Sequence, residues 1–199
     1  MPHRYGAWRA HGVRKPLPVV MVVCDDTKTA VAYFLAVKKE VKAAVTVHVV
    51  RAPRTGASAA EVVDLAAKRV GDAEEEGDSV WALIDCEAEP ERIIAAEAAK
   101  ARGNSCGVNV ALSKPCFEVW TLAHFIDTGQ KFSNCAAVVR QVEAEWKKRF
   151  GTKFDKAKAD YGKLMEYLNE ARVTAKKQRN SGQSWTEVFM VMDAIFGPT

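Results

Sequence analysis

Carboxylates recur in this sequence where an apolar run gives out. VVMVVC at 19–24 runs into Asp25-Asp26, SVWALI at 79–84 into Asp85-Cys86-Glu87, and VNVALS at 108–113 into Lys114-Pro115-Cys116-Phe117-Glu118. In Asp85-x-Glu87 the two carboxylates stand at i and i+2, which in an extended segment project to one side. If the first and third runs are neighbouring strands, Asp25 faces them across roughly 5 Å of strand spacing. Carboxylates gathered so closely repel one another unless a cation sits among them. A hard divalent ion, Mg2+ or Mn2+, suits an all-oxygen set of Asp25, Asp26, Asp85 and Glu87, and such an ion promotes in-line displacement at phosphorus. Glu118 is placed to complete the metal shell or to act as a base. Lys28 and Lys114 are placed to stabilise charge developing on a phosphate. The same residue types also cap helices or sit solvated at strand ends, so the residues alone leave both readings open.

Side chains at strand ends are positioned by what lies between the strands. VVMVVC, VTVHVV at 45–50, SVWALID at 79–85 and VNVALS at 108–113 are short apolar or β-branched runs, as expected for strands buried on both faces. Between them, 29–43, 59–76 and 90–103 carry helical spacing, the third with Pro90 in its first turn and Gly103 as a stop. Strand and helix alternating at this length predict right-handed crossovers and an α/β fold: a small, mainly parallel, four-stranded Rossmann-like sheet flanked by helices. From Ser113 onward the strand pattern ends. A helix beginning around Ser113–Pro115 and helices at 133–149, 155–179 and 184–196 predict a C-terminal helical layer. The organisation expected is a basic arm at 1–18, an α/β domain at 19–130, and a helical extension at 131–199 packed on the same domain.

The net charge of +4 is unevenly spread. Residues 1–18 hold Arg4, Arg9, Arg14 and Lys15 and no acid; residues 147–179 hold eleven Lys/Arg against four acids, so the body between is acidic. Cations gathered at both ends suit a polyanion such as DNA or RNA. Lys147, Lys148, Arg149, Lys153, Lys156, Lys176 and Lys177 would grip the backbone, with Arg51 and Arg54 reaching a phosphate from the loop after the second strand. A solvated helix face is the alternative. Hydrophobic residues at 48% and charged residues at 27% fit a globular protein with a full core. The longest apolar run is too short to cross a bilayer, and no apolar stretch of a secretory signal opens the chain. Five cysteines, an odd number without a C-x-x-C, argue against a disulfide framework or zinc cluster and for reduced thiols in the cytoplasm. Cys116 and His124 are eight apart on one predicted helix, about 12 Å of rise, too far for a Cys–His pair.

VWALIDCE followed by a helix, and then SKPCFEVWTLAHF, resembles the RloB-like family of bacterial defence proteins, whose pattern is S-N-P-C-F-E-x-W-x-L-x-H-F. CDDTKTAVAYF is similar to the family's E-G-x-K-T-E-x-x-Y-F. The resemblance spans about residues 19–196. It implies a Toprim-like domain, a metal-dependent nuclease activity in phage defence of the AbiLii type, and a partner ATPase of the AAA or ABC kind. Lys28, Thr29, Tyr33, Phe34, Cys116, Glu118, Trp120 and His124 match the pattern, with Trp120 and His124 structural neighbours of the site. Asp25 replaces the first Glu, Asp26 the Gly, Ala30 the second Glu, Asp85-Cys86-Glu87 the D-x-D, and Lys114 the Asn. These departures leave a second implication: a degenerate interaction or targeting subunit that binds nucleic acid or a phosphate ligand without cleavage.

Overall fold

The computed structural model describes residues 17–25, 28–41, 45–52, 54, 56–73, 75–180 and 183–199. Asp26 and most of the basic arm, with Arg4, Arg9, Arg14 and Lys15, lie outside these residues. Among the described residues the strands are β1 (Val19–Cys24), β2 (Thr46–Arg51), β3 (Ser79–Asp85), β4 (Val108–Lys114) and β5 (Trp185–Thr186). The helices are α1 (Thr29–Glu40), α2 (Ala59–Ala67), α3 (Pro90–Ser105), α4 (Glu118–Ala123), α5 (Cys135–Phe150), α6 (Leu168–Arg179) and α7 (Val188–Phe196).

The sheet order is β2-β1-β3-β4-β5, parallel throughout except for β5, which runs antiparallel to β4. Alternation along each strand builds two cores. Val20, Val22 and Cys24 of β1 and Trp81 and Leu83 of β3 face a core shared with α1 and the helices after β4. Met21 and Val23, with Val80, Ala82 and Ile84, face α2 and α3. An apolar run without polar alternation is what a strand covered on both faces requires. The first core unites residues from both sides of position 130, from Phe34 and Trp120 to Val142, Leu164 and Met192.

Local signals fix the helix starts. Ser58 accepts the Glu61 N–H while Glu61 reaches back to the Ser58 N–H, a reciprocal capping box. Asn134 accepts the Ala137 N–H at 2.9 Å, and α5 ends on Gly151 in the left-handed region. At Gly103 a Cβ would lie 2.6 Å from Val110 Cγ2, so glycine lets α3 lie against β4.

Three features differ from the sequence expectation. The sheet has a fifth strand, in a segment expected to be helical from 184. β4 continues through Lys114, so Ser113 is a strand residue paired with Asp85 rather than a helix cap, and a cis Lys114–Pro115 bond precedes a helix that starts at Glu118. The long helix expected at 155–179 is broken: a turn held by Asp155 gives way to a 3-10 helix at Tyr161–Tyr167, and α6 follows. A period of three puts Tyr161 and Leu164 on one face, and both are buried in the core beside Trp146 and Phe154.

Candidate functional site

β1 and β3 are adjacent, and their carboxyl ends open onto a cavity of about 330 Å³. Asp25, Asp85 and Glu87 all line it, with Ser58, Ile84 and Arg92. Ligand sites in open parallel sheets form at this end of the strands. Asp25 Oδ2 accepts the Asp85 N–H at 2.7 Å, so the first carboxylate is tied to the backbone that carries the second. Glu87 reaches the cavity differently from the expected alternation. Its φ of +54° breaks the extended segment, an uncommon conformation for a glutamate. Two backbone hydrogen bonds hold it, from the Cys86 N–H to Ser113 O and from the Glu87 N–H to Pro115 O, each 2.8 Å. The Glu87 carboxylate is exposed and 3.6 Å from Arg92 Nη2. Cys86 turns into the core, where burial first, and then the surrounding carboxylates of Asp85, Glu97, Glu187 and Asp25, push its thiol up to about 12. It is inert beside the site.

Asp85 and Glu87 also border a second cavity of about 330 Å³, whose other wall holds Pro115, Cys116, Asn134 and Cys135. Behind that wall lies Glu118, 2% exposed. Thr29 Oγ1 donates to its Oε1 at 2.6 Å, Lys156 Nζ is 2.8 Å from the same oxygen, and Cys135 Sγ is 3.2 Å from Oε2. Glu118 thus braces α4 against α1, α5 and the 155–157 turn. Cys116 and Cys135 are paired as a disulfide with Cα atoms 5.6 Å apart. This corrects the expectation of reduced thiols at two of the five positions. Spacing could not show it, since the partners are 19 residues apart and meet only because α5 starts beside the β4–α4 turn.

Among the described residues, Cys116, Glu118 and Cys135 form a group whose potential ligand atoms all lie within 4.8 Å of one another; Asp25, Asp85 and Glu87 do not. Hardness of the donors separates the two groups. The three carboxylates are all oxygen and fit Mg2+ or Mn2+. Glu118, with two sulfurs beside it and an ammonium at 2.8 Å, does not fit such an ion.

Neither Lys28 nor Lys114, expected to stabilise charge on a phosphate, lines the carboxylate cavity; each lines a separate groove. Lys28 is exposed and lines an open groove of about 570 Å³ with Lys153, Asp155 and Lys156. Lys114, half-buried, lines another with Lys131, Phe132 and Ile93. Among the described residues, the cation that lines the cavity itself is Arg92, which the sequence reading did not single out.

Several cations expected on a nucleic-acid face have partners within the protein. Arg54 donates to both Glu61 oxygens at 2.8 Å, Lys177 is 2.6 Å from Asp127, and Lys176 is 3.1 Å from Asp193. Lys148 is 3.7 Å from Glu145, and the Arg149 guanidinium lies over the Tyr167 ring at 4.7 Å. Arg51 is exposed at the end of β2. Lys147 and Lys153 line an open groove of about 540 Å³ with Arg140, and Lys153 carries it into the groove of Lys28.

Trp120 and His124 belong to the interior. His124 Nδ1 is 2.9 Å from Trp120 O and Nε2 is 3.1 Å from the Tyr33 hydroxyl. Burial holds the imidazole down to about 4, the hydrogen bonds to the Trp120 and Thr121 backbone pulling weakly the other way. Burial likewise pushes the Tyr33 phenol well up. Both groups are neutral and pack edge-to-face around Trp120.

Among the described residues no helix is long and apolar enough to cross a membrane. No curated protein matches the chain. Among solved structures, a de novo designed Rossmann fold protein is similar over 48% of this chain and 84% of its own, at 20% identity and a TM-score of 0.34. The family model for RloB-like proteins matches residues 20–195, which take in both carboxylate-bearing strand ends and the buried Glu118 cluster, and the chain belongs to the RloB-like family.

Proposed function

We propose that the protein is a Toprim-like, divalent-metal-dependent nuclease of bacterial phage defence, working with an AAA- or ABC-type ATPase. The observation that carries this reading is the shared cavity of Asp25, Asp85 and Glu87 at the carboxyl ends of adjacent parallel strands. These three would hold Mg2+ or Mn2+, with Asp26, next in sequence to Asp25, as a fourth candidate. When bound, the ion supplies Lewis-acid stabilisation of charge at phosphorus and a more acidic water. The chain's own part is orientation and charge. The Asp85 N–H fixes the Asp25 carboxylate, the backbone bonds at 86 and 87 hold the third carboxylate at the rim, and Arg92, which lines the same cavity, would face a phosphoryl oxygen of a bound substrate. The groove of Lys28, Arg140, Lys147 and Lys153 would guide the flanking backbone, where each neutralised phosphate adds a salt-dependent increment to affinity. Glu118 braces this arrangement from the interior and is not counted among the ligands.

A second reading, a targeting subunit that binds nucleic acid or a phosphate ligand without cutting, is favoured by the Glu87 carboxylate lying 3.6 Å from Arg92. One experiment separates them. Purified protein is incubated with labelled single- and double-stranded DNA and RNA in Mg2+ or Mn2+, beside Asp85→Asn. The nuclease reading expects cutting that falls at least about 100-fold in the variant. Undiminished cutting by Asp85→Asn overturns it. Nucleic-acid binding without cutting, and no heat of Mn2+ binding at millimolar metal, establishes the second reading.

A further inference from the structure

The Cys116–Cys135 pair is set among groups that the nuclease reading does not use. We infer that it is a thiol–disulfide exchange centre whose substrate is a small-molecule thiol or disulfide, with Cys135 as the exchanging sulfur. Four observations converge. The Cα separation of 5.6 Å suits a bond that forms and opens with little backbone movement. Cys135 begins the sixteen-residue α5, where the helix dipole favours a thiolate, and Lys156 Nζ is 3.9 Å from its sulfur. Glu118 Oε2, 3.2 Å away, is placed to accept the proton of the reduced thiol, and its own charge is matched by Lys156. Accessibility divides the roles: Cys116 is 2% exposed, whereas Cys135 is half-buried, and both border the cavity that holds Asp85 and Glu87.

The oxidising half-reaction balances with oxidised glutathione as the co-reactant. The Cys135 thiolate attacks one sulfur of the probe, whose disulfide breaks and releases one glutathione thiolate. Cys116 then loses its proton to solvent, attacks the Cys135 sulfur of the mixed disulfide and expels the second glutathione thiolate. The protein dithiol gives up two electrons, and the two protons end on the two glutathione thiols. Reduction by a dithiol reverses the sequence. Neither direction involves the carboxylate cavity chemically, so this inference stands whether or not the protein cuts nucleic acid.

The test uses the full chain. Protein reduced with dithiothreitol and desalted is pulsed at pH 7 with an alkylating reagent, and labelled sites are mapped by mass spectrometry. Cys135 is expected to label at least about tenfold faster than Cys106, an exposed free thiol at the end of α3. A second aliquot is treated with oxidised glutathione. Wild type is expected to form the Cys116–Cys135 disulfide, and Cys116→Ser to stop at one glutathione adduct on Cys135. Labelling of Cys135 no faster than Cys106, or glutathione found on Cys106 while 116 and 135 stay thiols, overturns the inference. Both decisive readouts come from wild type, so poor folding of the variant does not blur them.

Discussion

His124 offers a quantitative check on the interior behind the site. In the folded protein its imidazole titrates near 4, because burial removes the water that would solvate the cation. In the unfolded chain it titrates near the usual 6.5. Between those values the unfolded chain takes up a proton that the folded one refuses. Stability therefore holds above pH 6.5 and falls as pH drops toward 4. At about 1.4 kcal/mol per pH unit the full loss is about 3 kcal/mol, of which about 2 kcal/mol has gone by pH 5. The perturbation is His124→Asn, which keeps a donor toward Trp120 O and removes the titration. Urea unfolding of wild type and variant at pH 8 and pH 5 isolates the contribution as a difference of differences, since carboxylates common to both chains cancel. Wild type is expected to lose about 2 kcal/mol more than His124→Asn over that interval. Equal losses would show that His124 is solvated or charged in the folded state, and the packing role argued for it would fall.

Two further predictions test how the walls of the site are held. Gly103→Ala drives a methyl into Val110 Cγ2 and toward Val108 O, and is expected to cost about 1–3 kcal/mol in urea unfolding; a neutral result would mean that α3 does not lie against β4 at this spacing. Glu187 is buried, which raises its carboxyl, but hydrogen bonds from Lys100 and the Leu112 N–H, with Arg179, outweigh burial and bring it below the ordinary value. The stability it provides is present above the unfolded carboxylate range and lost as pH falls through its folded value. Glu187→Gln is expected to cost about 1.5–3 kcal/mol at pH 7 and to flatten the acid limb of the stability curve. An unchanged acid limb counts against the network.

The parts of the fold legible in the sequence are those that depend on contiguous pattern. Runs such as VVMVVC and SVWALID show parallel strands because both faces are covered and no polar alternation interrupts them. The carboxylates of Asp25, Asp85 and Glu87 could be placed at one end of the sheet for the same reason. What escaped needed long-range information. Two residues, Trp185 and Thr186, have no period to detect, and their apolar neighbours read as the start of a helix. Glu118 could be noticed but not its surroundings, since Thr29 and Lys156 are brought to it by separate elements. Glu87 shows where a local rule gives way: the i, i+2 argument assumes extended backbone, and hydrogen bonding to the β4–α4 turn imposes a left-handed residue instead.

The short antiparallel strand has a consequence for how the chain is made. β5 supplies the Thr186 hydroxyl that meets Ser113 across 73 residues of sequence, and Glu187 beside it accepts the Leu112 N–H. Chains emerge from the ribosome from the amino end at about 5–20 residues per second. At that speed, about 4–15 s separate synthesis of β4 from synthesis of the strand that covers it. For that interval the nascent sheet presents a bare parallel edge, the geometry that recruits foreign strands. A translational pause placed before Trp185 lengthens that exposure, so the timing of β5 synthesis, and not only the strength of the finished core, sets how long the edge stays open.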